Sequence, residues 1–177
     1  MPNSSVRRDT AGPAPAQGDP RLLEEPAAVE LLGSSLPARM AYTAPDGTPR
    51  LVPSWFHWTG AEIVTATWVS GPHVRHPARR IRDLRARPDV ALSIDTDDQP
   101  PLVLQIRGRA TVSEIDGIVP EYALAARRYL GEEAAAQYVG QFDPAAIRMA
   151  RIGITPTWVA LLDFQTRLPA PLGGVTR

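Results

Sequence analysis

The chain has 177 residues with 44% hydrophobic and 21% charged, so it is long enough and apolar enough to bury one ordinary globular core. Its 19 basic residues balance 19 acidic ones, which argues against a general nucleic-acid binder, and every basic residue is Arg, which excludes lysine Schiff-base chemistry. There is no Cys, excluding disulfides and thiolate catalysis, and no apolar run long enough for a membrane span or a signal peptide, so a cytoplasmic location is expected.

Residues 1–20 are Pro, Ala, Gly and polar residues with little to bury, and are expected to form a disordered tail. A domain is expected over 21–166, followed by a tail over 167–177. Leu22, Leu23, Val29, Leu31 and Leu32 among acidic residues predict short helical turns ending near Gly33. Segments 38–43 and 49–58 flank the turn signal Pro45-Asp46-Gly47, and 61–68 follows Thr59-Gly60, which predicts a three-strand meander. Strand 49–58 carries large apolar groups on both faces, so one face is expected to meet a partner subunit or a bound ring.

Residues 77–87 predict a helix that starts at Pro77 and stops before Pro88. Segment 89–95 predicts a strand. In 102–112, Leu102, Leu104, Ile106, Gly108, Ala110 and Val112 alternate with Val103, Gln105, Arg107, Arg109 and Thr111, the period of a strand with one buried face. Residues 118–139 are Ala-rich and helical, broken at Gly131, and two short strands, 148–154 and 157–163, close the domain. Many antiparallel strands with few helices predict a mainly β fold with peripheral helices, a small closed barrel.

Familiar catalytic patterns are missing: there is no GxSxG elbow, Gly-rich phosphate loop or HExxH. His73 and His76 are three apart but lie in a Pro-flanked loop, and His57 is distant in sequence, so they read as ordinary loop or strand residues and no metal site is expected. The informative feature is the crowd Arg75, Arg79, Arg80, Arg82, Arg85 and Arg87 around the start of helix 77–87. Cations there oppose the helix dipole, yet they suit a phosphate, which also takes the exposed N–H groups. The competing reading is a solvated basic face with Arg79 pairing Asp83 one turn on. Thr65 and Thr67 share one strand face with Ile63 and could donate to phosphate or to a ring carbonyl, although Thr is also simply a good strand residue.

In order and spacing, the run PRLVPSWFHWTGAEIVTAT, the Arg-rich segment ending RRIRDLRARPDVALSID and the strand LQIRGRATV resemble the pyridoxamine 5′-phosphate oxidase-like flavoproteins over residues 27–163. That resemblance implies an FMN-binding split β-barrel, normally a homodimer with the cofactor at the subunit interface. It places Arg50, Leu51, Val52 and Pro53 near the flavin ring and phosphate, Thr65, Ala66 and Thr67 at the isoalloxazine and phosphate, and Arg79 and Arg80 on the phosphate. Members usually carry Lys where Arg80 stands; Arg keeps the charge and binds phosphate bidentately. Gln105, or Val103 if the register moves by two, would contact the cofactor from the other subunit, and Trp158 would border the ring. Trp55 and His57, with His73 or His76, would line the pocket for a small organic substrate.

The segment between Thr67 and Arg79 is long for the family and could reach over the site. The C-terminal motif that holds the phosphate of pyridoxamine phosphate is missing, so that substrate is not expected. A deazaflavin coenzyme is an alternative to FMN. The resemblance therefore implies a flavin-dependent oxidoreductase; the alternatives are a non-catalytic flavin-binding or flavin-sensing homodimer and a barrel dimer without cofactor.

Overall fold

The computed structural model describes residues 15–164. Seven strands form one antiparallel sheet: β1 (Ala38–Thr43), β2 (Pro49–Ser54), β3 (His57–Trp58), β4 (Ile63–Ser70), β5 (Asp89–Asp95), β6 (Leu102–Asp116) and β7 (Arg148–Asp163). Four helices surround it: α1 (Pro26–Gly33), α2 (Arg79–Ala86), α3 (Pro120–Leu130) and α4 (Glu132–Gly140). Among the described residues no helix is long and apolar enough to cross a membrane.

The strand order is β2-β1-β5-β6-β7-β4-β3. The two edge strands, β2 and β3, are consecutive in sequence and separated only by Trp55 and Phe56. That link draws the ends of the sheet together into a split barrel. Met40, Phe56, Ile63, Ile94, Leu104, Ile106, Ile152 and Ile154 are fully buried in its core. The alternation expected over 102–112 holds, and the strand itself runs on to Asp116.

The meander is corrected. β2 pairs with β1, whereas β3 pairs with β4 at the opposite edge of the sheet. The apolar run 49–58 is thus two strands, and its two-sided hydrophobicity has mostly internal cover. Phe56 is wholly buried, Trp58 packs on the core, and Trp55 stacks on other rings. Leu51 is left 68% exposed on an edge strand, where Pro53 can sit because no ladder N–H is needed.

The last two expected strands are one. β7 pairs with β6 along its length, with Arg107 opposite Trp158 and Gly108 opposite Pro156, so Thr157 is the extra residue of a bulge. Gly108 is required there, because a Cβ would lie 2.5 Å from the Thr155 carbonyl oxygen.

The boundary expected at residue 20 moves outward. The Gln17 side chain donates to the Leu161 carbonyl (2.8 Å) and accepts from the Leu161 N–H (3.0 Å), and the Gly18 N–H donates to the Val159 carbonyl (2.7 Å). The cause is geometric. β4 covers β7 only as far as Ile154, and the rest of that edge needs partners. Residues 1–14 and the expected tail 167–177 lie outside the described residues. α2 begins at Arg79, two residues after Pro77, and the expected break at Gly131 is present at φ +84°.

Candidate functional site

The expected site residues fall into three groups. The first is on the outer face of the sheet. Strand register lines up Leu51, Ala41, Ala91, Arg107 and Trp158 as one row across five strands, and Pro53, Arg39, Ser93, Gln105 and Ala160 as the next. Leu51, Gln105 and Trp158 line a cavity of about 380 Å³ with Arg39 and Arg107. The Arg107 guanidinium lies 4.2 Å from the centroid of the Trp158 ring. Gly18 backs Trp158, since a Cβ there would be 2.9 Å from the indole Nε1. Arg39 is neutralised by Asp95 at 2.8 Å. This face is largely apolar, with Arg39, Ser93, Gln105 and Arg107 as its polar groups.

The second group sits at one barrel end. Arg50 is opposite Tyr42 in the ladder, and Tyr42 is also the residue whose field acts on Arg80. Arg50 is already engaged. It pairs with Asp46 at 3.0 Å and donates to Thr48; the Thr48 hydroxyl and N–H, and after them Arg50, hold the Asp46 carboxyl pKa down to about 2. Val52 points inward and packs against the core.

At this end α2 starts without a side-chain cap: its N-cap is Ala78 and its first turn holds no acid. Nine of the described arginines pair with a carboxylate. Arg87 and Arg128 donate to backbone carbonyls, and Arg107 lies over Trp158. The three left with neither a carboxylate, a carbonyl nor a ring against them among the described residues are Arg75, Arg79 and Arg80. Asp83, the partner expected for Arg79, is taken by Arg82 at 3.0 Å. Arg80 is half-buried, its Nε is buried without a hydrogen-bond partner, and burial pushes its pKa down, Tyr42 partly opposing this. A desolvated, unsatisfied guanidinium beside an uncapped helix start is costly without an anion, and it suits a phosphate.

The third group lies on β4. Thr65 and Thr67 share a face of β4 with Ile63 and are 3% and 8% exposed. Ala66 is on the opposite face, paired with Arg151 of β7.

Trp55 and His57 do not share a pocket wall. His57 lines a cavity beside Arg128, and burial together with that guanidinium lowers its pKa, Glu121 opposing them. Trp55 stacks on Tyr129 with centroids 5.2 Å apart and planes 12° apart, and on Tyr122 at 6.0 Å. This belongs to a ring cluster that sequence reasoning missed. Tyr138 and Phe142 continue it to Trp68, on which His73 sits edge-on at 4.6 Å. The spacing of Tyr122 and Tyr129, two turns apart on one helix face, was the available signal. His73 thereby ties the long 68–78 segment, which carries Arg75, to the helical layer.

The fold and these groups define a class: an antiparallel split barrel with an anion-suited helix start and a largely apolar sheet face. The sequence model of the family described as pyridoxamine 5′-phosphate oxidase matches residues 24–163. The chain belongs to that family. It is similar to the solved structure of an F420 reductase, with 25% identity and a TM-score of 0.54, covering 73% of this chain and 93% of that one. It is similar also to the conserved hypothetical protein Rv2991 from Mycobacterium tuberculosis (19% identity, TM-score 0.58, covering 84% and 90%). A third, HutZ, the heme storage protein from Vibrio cholerae, has 16% identity and a TM-score of 0.52, covering 78% and 92%. The last two likenesses concern the fold. A search of curated proteins gave no match.

Proposed function

We propose that this protein is a flavin-dependent oxidoreductase that uses FMN, or a deazaflavin coenzyme, for hydride transfer to or from a small organic substrate. The observation that carries the reading is the trio Arg75, Arg79 and Arg80, uncompensated in a chain whose other described arginines are paired, carbonyl-bound or stacked. Similarity to an F420 reductase supports the redox class. When bound, the coenzyme supplies the hydride chemistry, and the protein's task is to hold, orient and shield it.

In this reading Arg79 and Arg80 hold the phosphate, with Thr65, Ala66 and Thr67 on the adjoining strand. Arg50, Leu51, Val52 and Pro53 lie along the ring. The chain works as a homodimer in which the outer sheet face, with Gln105 and Trp158, closes on the coenzyme of the second copy. Arg50 would contribute by leaving Asp46. Trp55 acts as a packing platform beneath the site, and His57 lies at its margin.

A second reading, a non-catalytic flavin-binding or flavin-sensing homodimer, is favoured by one observation. The cavity on the outer sheet face is lined by Arg, Ser and Gln as its polar groups and has no carboxylate or histidine to act as general acid.

The test is the visible spectrum of the purified protein, with released coenzyme identified by mass, followed by titration with FMN and the deazaflavin separately. Binding of either with the stoichiometry of one per chain supports the site, and turnover of bound coenzyme with a reductant separates the two readings. A protein that binds neither would overturn both.

A further inference from the structure

A second cavity, of about 600 Å³, opens between α1, β3 and α3, away from the outer sheet face. Its walls are Val29, Leu32, Trp58 and Leu124, and its polar groups are His57, Arg127 and Arg128. No carboxylate lines it. We propose that this cavity binds a small amphipathic carboxylate, an apolar chain or ring bearing one negative head group.

The apolar half of the argument rests on exposure. Val29 on α1 is 54% exposed and Leu124 on α3 is 42% exposed, two of the four large hydrophobic residues left exposed in the described chain, and both face this cavity. Two helices each presenting one such residue to the same hollow give a hydrophobic mouth of a size that suits a small ligand.

The charged half rests on Arg128. It donates to the Leu32 carbonyl at 2.6 Å and to the Phe56 carbonyl, and lies over the Phe56 and Tyr129 rings at 4.3 and 5.0 Å. It therefore clamps α1 to β3. Carbonyl dipoles and π-faces compensate a guanidinium only partly, and no carboxylate pairs with it among the described residues, so net positive charge stays at the cavity. Its neighbour Arg127 pairs with Glu132 at 3.4 Å, but those side chains are 57% and 77% exposed. Such a surface pair contributes about 0–1 kcal/mol, so a ligand carboxylate can displace Glu132. Burial first, and the Arg128 guanidinium second, lower the pKa of His57 beside it, and Glu121 opposes them.

The geometry also chooses between anions. The end of α1 at this cavity is its C-terminus, with Leu32 and Gly33, which offers carbonyls and no N–H array. That end of the helix dipole opposes any anion, and a dianionic phosphate more than a carboxylate of single charge, which Arg127 can bind in the field of Arg128.

Isothermal titration of the full chain with octanoate tests this, with octyltrimethylammonium as the cationic control and FMN present or absent. The expected result is one octanoate per chain, little heat from the cation, and the same affinity with and without FMN. Val29→Glu and Leu124→Glu, both exposed positions, should each weaken octanoate about tenfold or more while leaving the melting temperature unchanged. Arg127→Glu should weaken it as well. The proposal is overturned if octanoate gives no saturable heat at millimolar concentration, or if the cation binds equally, which would mean apolar adhesion alone. It is overturned too if Leu124→Glu changes the particle mass while octanoate fails to bind, which would mean that another copy of the chain covers this face.

Discussion

Replacing Arg80 by Met should make the protein more stable without coenzyme and poorer at holding FMN. The two effects have one cause. Met keeps the aliphatic stem that packs at the barrel end but removes a guanidinium whose Nε is buried without a partner and whose charge burial disfavours. An unsatisfied buried donor costs about 1–3 kcal/mol. Because Arg80 is half-buried and water reaches part of it, the lower end of that range, about 1 kcal/mol, is the expected gain. For a chain of this size that raises the melting temperature by about 2–4 °C. Binding moves the other way. Loss of a charge-assisted contact to phosphate, worth about 1.5–3 kcal/mol, weakens FMN by roughly ten- to a hundredfold. Riboflavin, which lacks the phosphate, is the control and should bind Arg80→Met and wild type alike. Thermal melts without ligand and fluorescence titrations with both flavins are sufficient. A variant that melts lower and binds FMN unchanged would refute the reasoning, because Arg80 would then be a structural residue and not a phosphate ligand.

Three other perturbations probe the frame around that site. Gly108→Ala places a Cβ 2.5 Å from the backbone oxygen of Thr155, so β6 and β7 must part at the bulge; a loss of about 1–3 kcal/mol is expected, seen as a lower urea midpoint with an unchanged slope. Gln17→Ala removes both hydrogen bonds to the Leu161 backbone and should cost about 1–2 kcal/mol, whereas an effect near zero would return residues 15–20 to the status of a loose tail. Leu51→Glu adds charge at a residue 68% exposed on the edge strand of the outer sheet face; light scattering should show the homodimer of the proposed function falling to monomer, and a dimer of undiminished affinity would remove that face from the interface.

What the sequence disclosed depends on how local the cause was. The alternation of β6 and the break at Gly131 are written in neighbouring residues and could be read directly. The split of 49–58 could not, because large apolar residues on both faces leave no period to mark where Ser54 leaves one edge and His57 joins the other. The single β7 was hidden by Pro156, which looks like a terminator until the bulge opposite Gly108 absorbs it. The docking of Gln17 was hidden for a different reason. Its contacts are hydrogen bonds from one side-chain amide to the backbone of a strand 144 positions away, and composition carries no trace of them. For the arginine crowd the sequence supplied position but not pairing. Arg85 finds Glu114 across 29 residues and Arg82 takes Asp83, and only after those pairs are subtracted do Arg75, Arg79 and Arg80 stand out.

That subtraction explains how a chain of zero net charge can hold cationic sites. Carboxylates are spent along the ladders and the helix joints: Asp95 on Arg39, Asp116 on Arg148, and Glu62 with Glu121 on Arg151, which ties α3 to β4 and β7. Of the arginines without a carboxylate, Arg87 is held by a carbonyl and Arg107 lies over the Trp158 ring; the others stand at the start of α2 and, as Arg128, between α3, α1 and the link before β3. At the first place the excess charge is partly desolvated and meets helix N–H groups, which favours a phosphate. At the second it meets carbonyls and exposed aliphatic side chains, which favours a carboxylate with an apolar body. If this division is right, the two ligand classes should not compete: inorganic phosphate should displace FMN and leave octanoate untouched, and octanoate should leave FMN untouched. Mutual displacement would mean one diffuse basic surface in place of two chemically distinct sites.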